Sequence, residues 1–276
     1  MQLGTGSFGN SGFNTVKLSG LRVHAELGLV LAPGATTAII HIWGMTRDQL
    51  NQFTKAGLQY AVRNNMVTVE AGEVGGKMTT VFKGIVQESF PDFRAMPDVP
   101  LMISASTISD MQLKPVSPGS YQGSTDVGTI MGQMAQAAGL TLENAGVDVK
   151  LSNPYFSGTI WDQIKSCANA ANIFVHVDRV AGVLAIFPKG GARAGAPVVV
   201  SAASGMIQYP GYQNVNVVVR TLFNPAIKFG SQIKVESELP PANGIWYVYG
   251  LDYTLSAQLP DGPWEQTITG YRPGGG

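Results

Sequence analysis

The chain has little charge. Only 13% of its 276 residues are Asp, Glu, Lys or Arg, about half the usual share. The 18 basic and 18 acidic residues cancel. That balance excludes the clustered basic footprint of a protein that grips nucleic acid. Charge also keeps a lone protein soluble and monomeric, so a surface this poor in it is one that partners cover. There is one cysteine, Cys167, which excludes an internal disulfide scaffold. No basic segment followed by an apolar run opens the chain, so a secretory signal is not expected. The most apolar stretch, LGLVLAPGATTAIIHIW, is interrupted at Pro33-Gly34. It reads as strand–turn–strand rather than as a membrane span. H-E-x-x-H, G-x-S-x-G and the P-loop are all missing.

Glycine and proline are plentiful, at 34 and 16 residues. Together with short alternating runs they predict a turn-rich, mainly β protein, long enough for two or three domains. Gly4, Gly6 and Gly9 spell G-x-G-x-x-G, with Glu26 about 20 residues on, the spacing of a dinucleotide-binding turn. That motif needs a buried strand before it and a helix after it. Only Met1, Gln2 and Leu3 precede Gly4, and Gly12, Gly20 and the β-branched Thr15-Val16 pair follow. An interior glycine costs a helix about 1 kcal/mol relative to alanine. The expectation is a flexible glycine-rich arm over residues 1–17.

Beyond the arm, LRVHAELGLVL and TTAIIHIW read as paired strands. MTRDQLNQFTKAG reads as a short helix, with Thr46 and Gln49 in capping-box positions, Leu50 and Phe53 on one face, and Gly57 at its end. MVTVEAG and TTVFKGIVQESF are strands around Gly75-Gly76, and VPLMISAS is another. The middle differs. STDVGTIMGQMAQAAG places Val127, Ile130, Met131 and Met134 at helical spacing, with an N-cap at Ser124 or Thr125 and a stop at Gly139. SGTIWDQIKSCANAAN repeats the pattern with Ile160, Trp161, Ile164, Cys167, Ala168 and Ala171. A hairpin around Ala181-Gly182 follows. Residues 109–195 therefore form an α+β module, bounded by the loop-like LKPVSPGSYQGS and KGGARAGAP. From 196 the chain is β again, with turns at Asn224-Pro225, Pro240-Pro241 and Pro260-Asp261-Gly262.

The two β regions resemble each other. At an offset of 166, Val67, Val69 and Glu70 meet Ile233, Val235 and Glu236, while Phe82, Gly84 and Ile85 meet Val248, Gly250 and Leu251. VPLMISAS parallels PWEQTITG. Two similar β modules flanking an α+β insert is the expected architecture.

Candidate chemistry is sparse. His24, His41 and His176 have no metal spacing with one another or with Cys167. Each reads as structural or as facing a channel. Cys167 lies on the apolar stripe of its helix and reads as a core thiol. Glu70, Glu73, Glu88 and Asp92 are the carboxylates a glycosidase pair would draw on. Glu70 and Glu73 fall on opposite faces of a strand, and all four read as solvated or ion-paired. Trp43, Trp161, Trp246 and Trp264 lie in different elements, which favours packing over a sugar platform. No catalytic, cofactor-binding or metal-binding residue is expected, and no cofactor.

An ordered series of stretches carries a family resemblance: GSYQGSTDVGTIMGQMAQAAGLTLENAGV, NPYFSGTIWDQIKSCANAANI, VLAIFPKGGAR, SGMIQYPGY, TLFNPAIKFGSQIKVES and GIWYVYGLDYTLSAQLPDGPWEQTITGYRP. In these, over residues 18–276, the chain resembles the baseplate hub proteins of contractile-tailed phages, especially the Mu-like hubs. The resemblance implies two tube-like β-barrel domains, 18–108 and 196–276, around a middle α+β domain, 109–195. It implies a homotrimer forming a pseudo-sixfold ring at the tail baseplate of the virion, assembled in the host cytoplasm. It also implies a central spike and tail tube or tube-initiator proteins as partners, with tape measure and baseplate wedge proteins nearby. DNA would pass the channel without specific binding, and no membrane span is expected. The family carries no catalytic residues to transfer. The alternative from another class is a cell-wall or carbohydrate-binding module with a LysM-like middle domain.

Overall fold

The computed structural model describes residues 1–4, 7–8, 12–30, 34–57, 65–73 and 75–272. It is mainly β with a few helices. Two compact units divide it: Met1–Gly28, Thr36–Asp110 and Tyr253–Trp264 in one, and Leu29–Ala35, Met111–Asp252 and Glu265–Gly276 in the other.

The elements follow in chain order. First come β1 (Val23–Val30), β2 (Ala35–Ile42), α1 (Arg47–Gly57), β3 (Met66–Ala71), β4 (Thr79–Pro91), β5 (Leu101–Ser106) and α2 (Ser109–Leu113). Next are β6 (Gly119–Ser120), β7 (Ser124–Asp126), α3 (Val127–Ala137), β8 (Thr141–Asn144), β9 (Lys150–Ser152) and β10 (Tyr155–Phe156). Then come α4 (Ile160–Ala171), β11 (Ile173–Asp178) and β12 (Val183–Pro188). The series ends with β13 (Val198–Ser201), β14 (Gly211–Gln213), β15 (Asn216–Leu222), β16 (Gln232–Glu236), β17 (Gly244–Ala257) and β18 (Trp264–Tyr271).

In the first unit the strands run in the order β1-β2-β5-β4-β3. Alternation sets the faces: Ala38, Ile40 and Ile42 of β2 point into the core, while Ile39 is exposed. Opposite them, Leu101, Ile103 and Ala105 of β5 are buried in antiparallel register, with Ile40 facing Ile103. Helix α1 starts as its sequence predicts. Thr46 Oγ1 accepts from the Gln49 amide at 3.3 Å, and Gln49 Oε1 accepts from the Thr46 amide at 2.9 Å. Its apolar face delivers Phe53 to the same core.

Three residues of the N-terminal segment, Gln2, Leu3 and Phe8, are anchored. Gln2 exchanges backbone hydrogen bonds with Met66, each 2.7 Å, and so covers part of the outer edge of β3. Leu3 and Phe8 are buried in the core, with the Phe8 ring 5.3 Å from Phe53. The two later glycines of the G-x-G-x-x-G spacing, Gly6 and Gly9, lie outside the described residues, as do Pro33 and the final Pro273 to Gly276.

The second unit holds a separate three-stranded sheet. This sheet, β11-β12-β8, packs with α3 and α4. The residues expected on the helix stripes, from Val127 to Met134 and from Ile160 to Ala171, are buried. Helix α4 opens on a capping box between Thr159 and Asp162 and ends on Asn172 at φ 53°. One boundary differs from expectation. The N-cap of α3 is Asp126, not Ser124 or Thr125, because Ser124–Asp126 is extended and pairs with β9. The Asp126 carboxylate then reaches the Thr129 amide at 2.9 Å.

A further run of strands takes the order β14-β15-β18-β17-β16, with β13 added in parallel on β16. This is the strand order of the first unit's run, element for element. The segments matched in sequence occupy equivalent places: β3 with β16, β4 with β17, β5 with β18. The ladder register does not keep the ungapped offset. Val67 faces Gly84, but Ile233 faces Trp246, four residues short of Gly250. Four is even, so the rungs ahead of the β3 bulge at Val69/Glu70 keep their faces.

Candidate assembly surfaces and buried polar groups

The sequence-level candidates do not converge on a reaction centre. Glu70 is exposed and pairs with Lys17 at 3.4 Å. Glu73 lies beyond the end of β3, where its carbonyl accepts from Gly76, so the two do not share a strand. Glu88 is exposed on β4. Asp92 accepts two hydrogen bonds from the Arg94 guanidinium, at 2.8 and 2.9 Å, and one from the Arg94 amide. These bonds hold its carboxyl below the usual carboxylate range, the opposite of what a catalytic acid needs.

In the first unit His24 lies between Ser256 Oγ, 2.8 Å from Nδ1, and Glu26, 3.2 Å from Nε2. Glu26 is thereby a histidine partner on a strand. His41 stacks on Trp43 at 5.9 Å, and the Arg22 guanidinium covers the indole at 4.4 Å. Burial, then the neighbouring His24, lowers the His41 pKa. Among the described residues no group of three or more His, Cys, Asp or Glu is placed to hold a metal ion. No helix among them is long and apolar enough to cross a membrane.

In the second unit Cys167 is sealed in α4, and burial pushes its thiol up to about 12. A thiol at that value is not a nucleophile at neutral pH. Trp161 and Trp246 are sealed as well, the latter donating its indole N–H to Ala242 O at 2.7 Å. Neither is available to stack on a sugar.

One polar cluster in this unit is dense. Arg193, with a side chain only 12% exposed, donates from Nε and Nη2 to both oxygens of Glu143, at 2.7 and 2.6 Å. Its Nη1 lies 3.3 Å from Asp178 and 3.5 Å from Phe229 O. These bonds hold the Glu143 carboxyl below its ordinary range. His176 lies fully buried beside this network, its ring 4.8 Å from Phe229 and its Nδ1 without a hydrogen-bond partner. Desolvation lowers its pKa to about 4, so it is neutral.

The apolar surface of the second unit concentrates on its β14 side. The segment 206–213 runs along β15, with Ile207 donating to Arg220 O at 2.9 Å. Strand β14 is the end of this order and wholly exposed. Here Val215 is 81% and Tyr209 69% exposed, with Ile207, Tyr212 and Leu222 also open. The sequence carries this surface as an absence rather than as a motif: the 26 residues from Ala194 to Val219 contain no charge. An edge strand without charge or a cover is a pairing site. In the first unit the loop after β4 displays Phe93 and Met96.

Residues 10–261 match the family described as Baseplate hub gp41. No match was found among curated proteins. In fold the chain is similar to a tail protein from Neisseria meningitidis MC58 (TM-score 0.63, 10% identity, 92% of this chain and 96% of that one). It is similar to the 43 kDa tail protein of prophage MuSo2 from Shewanella oneidensis (TM-score 0.57, 10% identity, 92% and 96%). A third similar structure is the E. coli c3393 protein, a type VI secretion component with structural similarity to the T4 tail proteins gp27 and gp5 (TM-score 0.62, 9% identity, 93% and 75%).

Proposed function

The chain belongs to the baseplate hub gp41 family and is a structural protein of a phage tail baseplate, and we propose that three copies close into a ring joining the tail tube to the central spike. The observation that carries this reading is the repeated strand order, β1-β2-β5-β4-β3 and again β14-β15-β18-β17-β16. Three chains hold that order six times. A threefold ring of them presents six similar modules, which suits a sixfold tube on one side and a threefold spike on the other.

In this reading residues 18–108 and 196–276 are the tube-like barrel domains, and 109–195 is the α+β domain between them. The uncharged β14 side is the surface that neighbouring copies cover. Its burial contributes roughly 25 cal/mol per Å² of apolar area before the entropic costs of association. The spike, the tail tube or its initiator, and the tape measure and wedge proteins are the partners. A lumen lined by a neutral protein lets DNA pass without holding its phosphates. The hub catalyses no reaction.

Native mass across a concentration series tests this. Three times the 29.2 kDa chain mass is expected. A monomer at high concentration, both alone and mixed with the spike protein, overturns the ring.

A further inference from the structure

The stretch KGGARAGAP reads in sequence as a loose linker between the α+β module and the last β region. Its surroundings say otherwise. Arg193 bonds Glu143 on β8 through two parallel N–H···O contacts and reaches Asp178 on β11. Both partners belong to the three-stranded sheet of the α+β module. The same residue's amide donates to Gly230 O at 2.7 Å, and its guanidinium touches Phe229 O. Those two carbonyls belong to the loop between β15 and β16, in the last β region. Two residues earlier, Gly191 O accepts from the Tyr271 hydroxyl of β18 at 2.5 Å.

The fit around the arginine is close. Gly230 has φ +77°, and a Cβ there would stand 2.9 Å from Arg193 Cδ and 3.2 Å from the Phe187 ring. Only glycine lets this loop close over the arginine stem. Phe187 and Phe229 lie 6.1 Å apart beneath it, with Phe174 and Tyr249 packed on them. A planar fork held by two carboxylates and a carbonyl is fixed in direction as well as in charge, which a lysine cannot reproduce.

We propose that Arg193 is a clasp that locks the α+β module onto the last β region, so that residues 189–197 act as a rigid joint rather than a linker. The joint is a device of the single chain and does not depend on the ring. Its role is to make the orientation of the α+β module a fixed property of each subunit.

Limited trypsin digestion of the full chain tests it, because trypsin must extract the arginine side chain before it cuts. Lys189 is exposed and lies four residues away. The Arg193–Ala194 bond is expected to resist cleavage in the native protein and to be cut only on global unfolding. Rapid cleavage there under native conditions overturns the clasp. In hydrogen exchange, Arg193→Lys is expected to lower protection of residues 190–197 and of the Gly230 amide at least tenfold, with α1 unchanged. Unchanged protection overturns the clasp. Gly230→Ala is the second variant. It keeps every charge and is expected to loosen the same two segments, and protection equal to wild type overturns the clasp equally.

Discussion

The two strand runs share one order and solve the same packing problem differently. Each has a strand glycine packed against an aromatic residue. In the first, Phe82 covers Gly84 two residues along the same strand, and a Cβ on that glycine would stand 2.5 Å from the ring. In the second, Trp246 of β17 lies against Gly270 of the neighbouring β18, where a Cβ would meet the Trp246 Cβ at 3.1 Å. At the place where the first ladder sets Gly84 opposite Val67, the second sets Trp246 opposite Ile233. Strand order is therefore the retained property, and the choice of bulky residue at a given rung is free. What persists is the alternation of faces, which the four-residue slip leaves intact. The outer strands differ too. Part of the β3 edge carries Gln2, whereas β14 is exposed along its length.

The comparison breaks hardest at Trp246. Trp246→Ala removes a fully buried side chain together with its Arg272 cation–π contact at 4.9 Å. It is expected to destabilise the protein by about 3–5 kcal/mol in urea unfolding. The next effect is acid loss centred on His176. The groups facing it are Asp178, Glu143 and Arg193, with the backbone of Gly34. The unfolded chain takes up a proton near the ordinary histidine value of about 6.5, while the folded one waits until about 4. The stabilisation is complete above about 6.5 and is lost as pH falls toward 4, on the order of 3 kcal/mol. Glu143, held low by Arg193, adds in the same direction at lower pH. Amide protection in β11 and β12 should fall between pH 7 and 4 by more than protection in α1.

Two smaller tests sharpen the contrast of edges and caps. Val215→Asp puts a charge on the β14 side and is expected to weaken self-association at least about tenfold in sedimentation. Unfolding of the isolated chain should change by no more than about 0.5 kcal/mol. Thr46→Ala removes the α1 capping box, which has no counterpart between β15 and β16. It is expected to cost about 1 kcal/mol, read as loss of protection in α1.

Local rules in the sequence located most elements. Thr46 with Gln49, Thr159 with Asp162, and the apolar stripes of α3 and α4 are short-range signals, and each lies where its spacing predicts. The α3 cap moved to Asp126 because a pairing with residues 150–152, invisible from nearby sequence, extends the chain up to it. The same limit hid Arg193. A lone arginine among glycines carries no local sign that Glu143, Asp178 and Phe229 will meet it. The β14 surface was legible as a missing charge rather than as a motif. In the N-terminal segment glycine-rich composition reports chain freedom and carries no local sign that Leu3 and Phe8 are held by residues far along the chain.

Cys167 has a practical consequence. The chain's single thiol is sealed inside a helix and held in its unreactive form. Alkylation can proceed only while that helical layer is open, so its rate is a stopwatch on local opening that needs no added probe. For the same reason a new cysteine at Phe93 will take a fluorophore or spin label alone. The protein is, without alteration, a blank background for measuring distances within the assembled baseplate.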